Sequence, residues 1–158
     1  MVPIQEAINS QAWLRFSNDG YLRKWSPDEP RDFRVRVLEF YKIDLAEVDD
    51  PEEVDVSHEN ASWWMLKLEV VSLCKRKIFT SDFYELALLV DQDNFGFNCL
   101  IESHLYSSEF GKKTGLYRFW RERLFPKIKA VGALTFLLPD DEEAQYSLSM
   151  DNGKVEEA

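Results

Sequence analysis

The sequence predicts an α+β fold, a single domain in which an antiparallel β-sheet is packed by an N-terminal helix and by a later helix rich in basic and aromatic residues. Three observations favour this class. Residues 62–74 (SWWMLKLEVVSLC) are apolar on both faces, as expected of a strand that is covered on both sides. Residues 33–41 alternate apolar side chains with Arg34 and Arg36, which is typical of a half-buried strand. Apolar residues recur at helical spacing near the N-terminus, at Ile4, Ala7, Ile8 and Ala12.

Composition indicates one domain with an adequate core. The chain has 158 residues, 45% of them hydrophobic, including eleven Phe, six Tyr and five Trp. A chain of this length buries about two thirds of its unfolded surface without help from disulfides or metal. We place the domain at residues 1–139.

The negative charge is concentrated in two segments. Residues 44–60 carry eight acidic side chains and no Lys or Arg, and residues 140–158 carry seven against one Lys, so the two segments contribute −8 and −6. The remaining residues therefore sum to +4 within a total of −10. We expect 44–60 to be a solvated loop and 140–158 to be a disordered tail, because neither has enough apolar surface to offset the entropy of ordering.

The remaining segments are assigned from periodicity and from turn residues. A helix is predicted over 3–14, although a hairpin pairing 13–16 with 21–25 fits the same segment. Residues 82–90 fit a strand or a helix equally well. A turn at 91–96 leads to a strand at 97–101, and a loop at 111–115 leads to a helix at 116–125 that ends before Pro126. The last predicted strand covers 131–138.

Residues 91–102 match a calcium-binding loop in part. Asp91, Asp93, Gly96 and Glu102 fall at ligand or turn positions of an EF-hand. However, Phe95 stands at a ligand position and has no side-chain oxygen. A β-hairpin turn with solvated aspartates is the preferred interpretation, and no metal site or cofactor is predicted.

A ligand pocket is a second candidate site. Glu102 and His104 lie two residues apart, so they share a face if this segment is a strand and would form a carboxylate–imidazole pair. The doublet Trp63-Trp64 sends one ring to each side of its strand, and Trp64 is assigned to the pocket. A general base needs a nucleophile or a bound water, and the sequence shows no nucleophile in a recognisable setting.

The leading candidate is a partner-binding face in residues 112–129. This segment carries seven basic residues and one acid, Glu122, interleaved with aromatic residues. Arg and Trp are the residue types that carry much of the energy of protein interfaces. The assigned partner-binding residues are Lys112, Lys113, Arg118, Trp120 and Arg121.

These patterns favour a non-enzymatic protein-interaction module, such as an adaptor, an assembly chaperone or an inhibitor. The alternatives are a small-ligand-binding protein or enzyme with a sheet-lined pocket, and a weak nucleic-acid binder, which the charge of −10 disfavours. Cys74 and Cys99 are expected to be reduced. The N-terminus lacks the basic and apolar pattern of a signal peptide, and we expect a cytoplasmic protein that does not bind membranes.

Overall fold

The structure, a computed structural model, describes residues 1–18, 30–56 and 58–158. Within them the helices are α1 (Ile4–Ser10), α2 (Ser81–Tyr84), α3 (Ser103–Tyr106) and α4 (Glu109–Thr114). The strands are β1 (Val2–Pro3), β2 (Trp13–Asn18), β3 (Arg31–Lys42), β4 (Ala61–Ser72), β5 (Ile78–Phe79), β6 (Ala87–Val90), β7 (Gly96–Asn98), β8 (Arg123–Leu124), β9 (Lys129–Pro139), β10 (Ser147–Met150) and β11 (Lys154–Glu157).

The strands form two antiparallel sheets and a short pair. The large sheet has the order β11-β2-β3-β4-β9, the small sheet has the order β1-β10-β6-β7, and β5 pairs with β8. The facing sides of the two sheets share one cluster of buried side chains, the first core, which includes Phe16, Phe33, Leu68, Leu89 and Leu148. The prediction of a fold that is mainly antiparallel sheet with a few helices is confirmed at this level.

Strand β4 is the interior strand that the sequence predicts. It lies between β3 and β9 in the large sheet. Leu66 and Leu68 face the first core, whereas Trp63 and Met65 face a second cluster on the opposite side. Both faces are covered, so the strand needs no polar alternation, and its apolar run follows from that burial.

The second core lies under the acidic segment 44–60. Val48 and Val54 are 5% and 3% exposed and pack with Trp63. The indole nitrogen of Trp63 donates to the backbone carbonyl of Asp55 at 2.8 Å, and the Asp49 carboxylate accepts the backbone N–H that begins α4 at 2.7 Å. The segment is largely exposed, as expected of a solvated loop, but two valines and a helix cap fix it to the sheet.

The N-terminal segment forms a helix followed by a strand. Helix α1 ends at Ser10, and Gln11 takes a left-handed conformation (φ 55°). Strand β2 then pairs with β3, so the single helix over 3–14 is too long. The alternative return strand at 21–25 lies outside the described residues.

The C-terminal segment is not a disordered tail. Strand β10 pairs with β6, and β11 pairs with β2. Leu148, Met150 and Val155 are buried in the first core. These residues alternate with polar ones inside an acidic segment, and the alternation rather than the average composition decides the structure.

Residues 82–90, for which the sequence allowed a helix or a strand, contain one of each. The chain forms α2 and then β6, which pairs with β7 as a hairpin. The Asp91 carboxylate accepts the N–H groups of Asp93 and Phe95 at 2.9 and 3.0 Å, and Asn94 has φ 66°. The hairpin-turn interpretation of this loop is confirmed, but the following strand ends at Asn98, short of the predicted 97–101.

The predicted loop 111–115 and helix 116–125 are wrong. Helix α4 covers most of the first and ends at Thr114, where Gly115 caps it with φ 95°. A 3₁₀ turn (Tyr117–Phe119) and β8 follow. The Gly115 carbonyl accepts the N–H of Ala133 in β9 at 3.0 Å, and a Cβ at Gly115 would lie 3.0 Å from the Cα of Gly132. Gly115 therefore docks the chain against the edge of β9, where a continuous helix does not fit.

Candidate functional site

Five residues assigned to partner binding lie on one stretch of surface around the 3₁₀ turn. We call this stretch the basic-aromatic surface: Lys112, Lys113, Tyr117, Arg118, Trp120 and Arg121. Both lysines are exposed in the last turn of α4, and Arg121 is exposed after the turn. Leu116 and Phe119 are 0% and 1% exposed beneath them. Leu116 and Phe119, whose spacing suggested the buried face of a helix, instead anchor the 3₁₀ turn to the core.

Cations and aromatic rings are stacked on this surface. The Arg121 guanidinium lies 4.2 Å from the centroid of the Trp120 ring, and the Lys112 ammonium lies 6.0 Å from that of Tyr117. The Tyr117 and Trp120 rings meet edge to face at 6.0 Å. Trp120 also packs on Tyr106 of α3, with centroids 6.4 Å apart. Trp120 is thus held by the second core, and each of the two rings has a cation over it.

Two cations of this surface are not neutralised by carboxylates. Lys112 pairs with Glu109 at 3.6 Å, and Arg118 pairs with Glu122. Among the described residues, no carboxylate lies within ion-pair distance of Lys113 or Arg121. Exposed ion pairs contribute about 0–1 kcal/mol to stability, so Lys112 and Arg118 can leave their present carboxylates for those of a bound partner at little cost.

Sequence reasoning missed that Phe79, from a distant segment, joins part of residues 112–129 in a neighbouring basic-apolar strip, formed by Phe79, Arg123, Phe125, Lys127 and Ile128. Phe79, Phe125 and Ile128 are 56%, 47% and 58% exposed. Pairing of β5 with β8 brings Arg123 to 4.4 Å from the Phe79 ring centroid. Residues 70–81 and 123–139 each carry three cations and no acid, which was the available signal. The sequence does not reveal, however, that these two segments lie next to each other in the fold.

The pocket predicted at Trp64, Glu102 and His104 is not assembled. Trp64 packs against the first core, whereas α3 packs in the second core on the opposite face of the sheet. Glu102 does not lie in a strand. Its carboxylate caps α3 by accepting the Leu105 N–H at 3.1 Å, and it lies 3.0 Å from Nδ1 of His104.

The Glu102–His104 pair forms at the start of α3, between a buried carboxylate and a half-exposed imidazole. Its hydrogen bond raises the pKa of His104 above the usual 6.5, with smaller contributions from Glu53 and Asp50. The His104 side chain is 49% exposed. The raised pKa favours the protonated imidazole, which suits ion pairs with Glu102 and Glu53 better than general-base catalysis.

Trp64 instead lines a groove at one end of the two sheets. This aromatic groove has a volume of about 890 Å³. Phe40 stacks on Trp64 with centroids 4.9 Å apart, and Tyr146 meets Phe40 edge-on at 6.2 Å. A smaller cleft of about 490 Å³ beside Trp63 is bordered by Asp44, Asp55 and His58. The two acidic segments therefore border two separate concave regions rather than one.

The cysteines do not offer a nucleophile. Cys74 is buried. Burial raises the pKa of the Cys99 thiol to about 12, so this thiol stays protonated at neutral pH. In residues 1–18, 30–56 and 58–158, no three His, Cys, Asp or Glu side chains are grouped as a metal site would require.

Comparisons with protein-family models, curated proteins and solved structures find no match to this chain. None of the helices in the described part of the chain has the length and hydrophobicity needed to cross a lipid bilayer.

Proposed function

We propose that the protein is a non-enzymatic interaction module that binds an acidic segment of a partner protein through the basic-aromatic surface. The observation that carries this proposal is the stacking of Arg121 on Trp120 at 4.2 Å, on a surface where neither Arg121 nor Lys113 pairs with a carboxylate of the described residues. A ring fixed from below and a cation held above it are already ordered before binding. Pre-ordering lowers the entropy cost of forming an interface.

The partner's charge follows from the local charge of this region. The basic-aromatic surface and the adjoining strip contribute six cations between Lys112 and Lys127, with Glu122 as the single acid in that range, and that acid is paired with Arg118. An acidic segment with an apolar side chain would meet the cations and also cover Phe79 or Phe125. Nucleic acid is a poorer fit because the whole chain carries −10, which opposes a long polyanion beyond the local surface.

A photo-crosslinking experiment tests the proposal. A photoreactive residue placed at Lys113 should crosslink to a protein segment rich in Asp and Glu in an extract of the source cells. The same residue placed at Lys154, which is exposed on β11, is the matched control. Recovery of RNA, of a basic segment, or of the same products from both positions would contradict the proposal.

Charge reversal provides the quantitative test once the crosslinked segment is made as a peptide. Arg121→Glu removes the stacked cation without touching an ion pair, and Arg118→Glu combined with Arg121→Glu removes both guanidinium groups. We expect Arg121→Glu to weaken peptide binding by about tenfold or more, since interface Arg residues at such positions contribute about 2 kcal/mol. Lys154→Glu, a matched reversal elsewhere, should change the affinity less than about twofold, because long-range charge effects are screened over about 8 Å. Equal effects of Arg121→Glu and Lys154→Glu would refute a role for this surface.

A further inference from the structure

The aromatic groove is a second concave site, separate from the basic-aromatic surface. Its floor is formed by Phe40 and Trp64 of the large sheet, and Tyr146 closes one wall. The segment that runs from β9 to β10 forms the rim and brings Asp140, Asp141 and Glu142 to it. We propose that this groove binds a quaternary ammonium group.

Charge decides between a cationic and an anionic ligand. Three carboxylates and one ammonium, that of Lys42, line the groove, so its lining carries a net formal charge of −2. Aromatic ring faces are also negative, because the ring quadrupole places negative potential above and below the plane. The negative charge of this region also affects the pKa of the Tyr146 hydroxyl. Its pKa is raised by burial and by the nearby charges of Asp91 and Asp141.

The ring composition favours a methylated cation over a primary ammonium. A primary ammonium is strongly hydrated and needs hydrogen-bond acceptors for each of its three N–H groups. The groove is lined by three aromatic rings, of which Phe40 and Trp64 stack on each other, so each of these two has one face left for a ligand. A quaternary ammonium gives up little hydration, has no donor to satisfy, and is attracted by ring faces and by carboxylates at the rim.

The rim is fixed before a ligand arrives. The Asp140 backbone N–H donates to Asn60 at 2.7 Å, and its carboxylate accepts the Ser62 hydroxyl at 2.5 Å. The Asp141 carboxylate accepts the Glu143 N–H at 3.0 Å, and the Ile4 N–H donates to the Tyr146 carbonyl at 3.0 Å. These bonds tie the rim to β4 and to the start of α1. The groove is therefore largely preformed, as binding sites for small molecules usually are.

The test compares a cation with a neutral molecule of the same shape. Choline and 3,3-dimethylbutan-1-ol differ only in the charged nitrogen. Titration of the full chain, followed by NMR at constant ionic strength, should show choline binding about tenfold more tightly, in the range that cation–π contacts supply. The indole N–H resonance of Trp64 should shift. Equal binding of the neutral alcohol, or no shift with choline, would overturn the proposal.

Two neighbouring glutamates provide a matched pair of variants. Glu142→Gln removes a carboxylate that lines the groove, whereas Glu143→Gln removes an exposed one that does not line it. Both side chains are exposed, so neither change should impair folding. We expect Glu142→Gln to weaken choline binding about two- to fivefold, a typical range for a single charge near the protein surface, and Glu143→Gln to leave it unchanged. Equal weakening by the two variants would show that only the general negative field attracts choline.

A parallel titration distinguishes a free metabolite from a modified protein. A short peptide with one trimethyllysine presents the same chemical group as choline, and the unmethylated peptide is its control. Tighter binding of choline would assign the groove to small molecules, and tighter binding of the methylated peptide would assign it to a protein ligand. Both results support the proposal, and equal binding of the methylated and unmethylated peptides together with weak binding of choline contradicts it.

Discussion

Replacing Tyr106 by Phe tests how the edge of the large sheet is closed. Tyr106 and Thr135 are both fully buried. The Tyr106 hydroxyl oxygen accepts the backbone N–H of Thr135 in β9 at 2.8 Å and lies 2.8 Å from the Thr135 hydroxyl. That hydroxyl also donates to the Leu100 carbonyl at 2.5 Å. One phenol therefore supplies the partner that a backbone group of an edge strand would otherwise lack.

The expected loss of stability follows from these contacts. Tyr106→Phe keeps the ring but leaves the Thr135 N–H buried without an acceptor, at a cost of about 1–3 kcal/mol, and it removes a hydroxyl contact with a net value of about 1 kcal/mol. We expect the free energy of unfolding to fall by about 2–4 kcal/mol, which is a large part of the 5–15 kcal/mol typical of a domain. Urea unfolding followed by circular dichroism and tryptophan fluorescence measures it.

Tyr117→Phe is the matched control for this change. It removes the same hydroxyl from a partly exposed tyrosine on the 3₁₀ turn, and it should alter stability by less than about 0.5 kcal/mol. A double-mutant cycle with Thr135→Val should give a coupling of about 0.5–2 kcal/mol, because the two side chains are in direct contact. If Tyr106→Phe costs no more than Tyr117→Phe, water reaches the edge of β9 and the closure described here is wrong.

Three further changes probe the backbone and the charged pairs. Gly115→Ala should lower the free energy of unfolding by about 1–3 kcal/mol in urea melts, because φ 95° and the contact with β9 exclude a Cβ. Gly96→Ala is the control: its Cβ would meet only a side chain at 3.3 Å, so it should cost about 1 kcal/mol or less. A hydrogen bond from Arg36 lowers the pKa of Glu69 below 4.5. The pair therefore stabilises the fold above pH 4.5, and this contribution is lost as the pH falls through the lowered pKa. Glu69→Gln should reduce the urea midpoint at pH 7 and have less effect at pH 3. Because the pKa of His104 is raised, its ion pair stabilises the protein below pH 6.5, and this contribution is lost as the pH rises through the higher pKa of the folded state. An NMR titration of His104 should give a midpoint above 6.5, and Glu102→Gln should lower that midpoint.

The parts of the fold that were predictable are those that local periodicity encodes. The two-sided burial of β4 and the alternation of β3 are visible in any window of ten residues, because each strand's own side chains report what covers it. The failed helix at 116–125 shows the limit of this reasoning. Leu116, Phe119 and Trp120 have helical spacing, but the conformation is decided by the contact of Gly115 with β9, a partner that lies outside the window.

The C-terminal strands show a second limit, which comes from averaging. The acidic composition of 140–158 predicts disorder, yet Leu148 and Met150 fill space beside β6, and Val155 fills space beside β2. Three apolar side chains are too few to stabilise an isolated segment, but they are sufficient where two sheet edges are already in place. Composition cannot show that such edges exist.

The candidate sites were predictable to the extent that their residues are neighbours in the chain. Residues 112–121 were identified because cations and rings are adjacent in sequence, and the structure adds the stacking of Arg121 on Trp120. The aromatic groove was not identified, because Phe40, Trp64 and Tyr146 come from three distant segments. The predicted pocket failed for a related reason. Trp64 and Glu102 were grouped without knowing which face of the sheet each would occupy.

The two ends of β4 differ in the sign of the charge beside them. Strand β4 begins at Ala61, opposite Pro139 and the acidic rim, and ends at Ser72, beside Lys127 and the basic-apolar strip. Trp64 and Ser72 are eight residues apart on this strand, which corresponds to about 26 Å at 3.3 Å per residue. This distance is about three times the Debye length of 8 Å at physiological ionic strength. Charges at the acidic rim therefore exert little force on a ligand at the basic-apolar strip. If binding at the groove and at the basic-apolar strip were coupled, the coupling would have to pass through the packed side chains of β4 rather than through the electrostatic field.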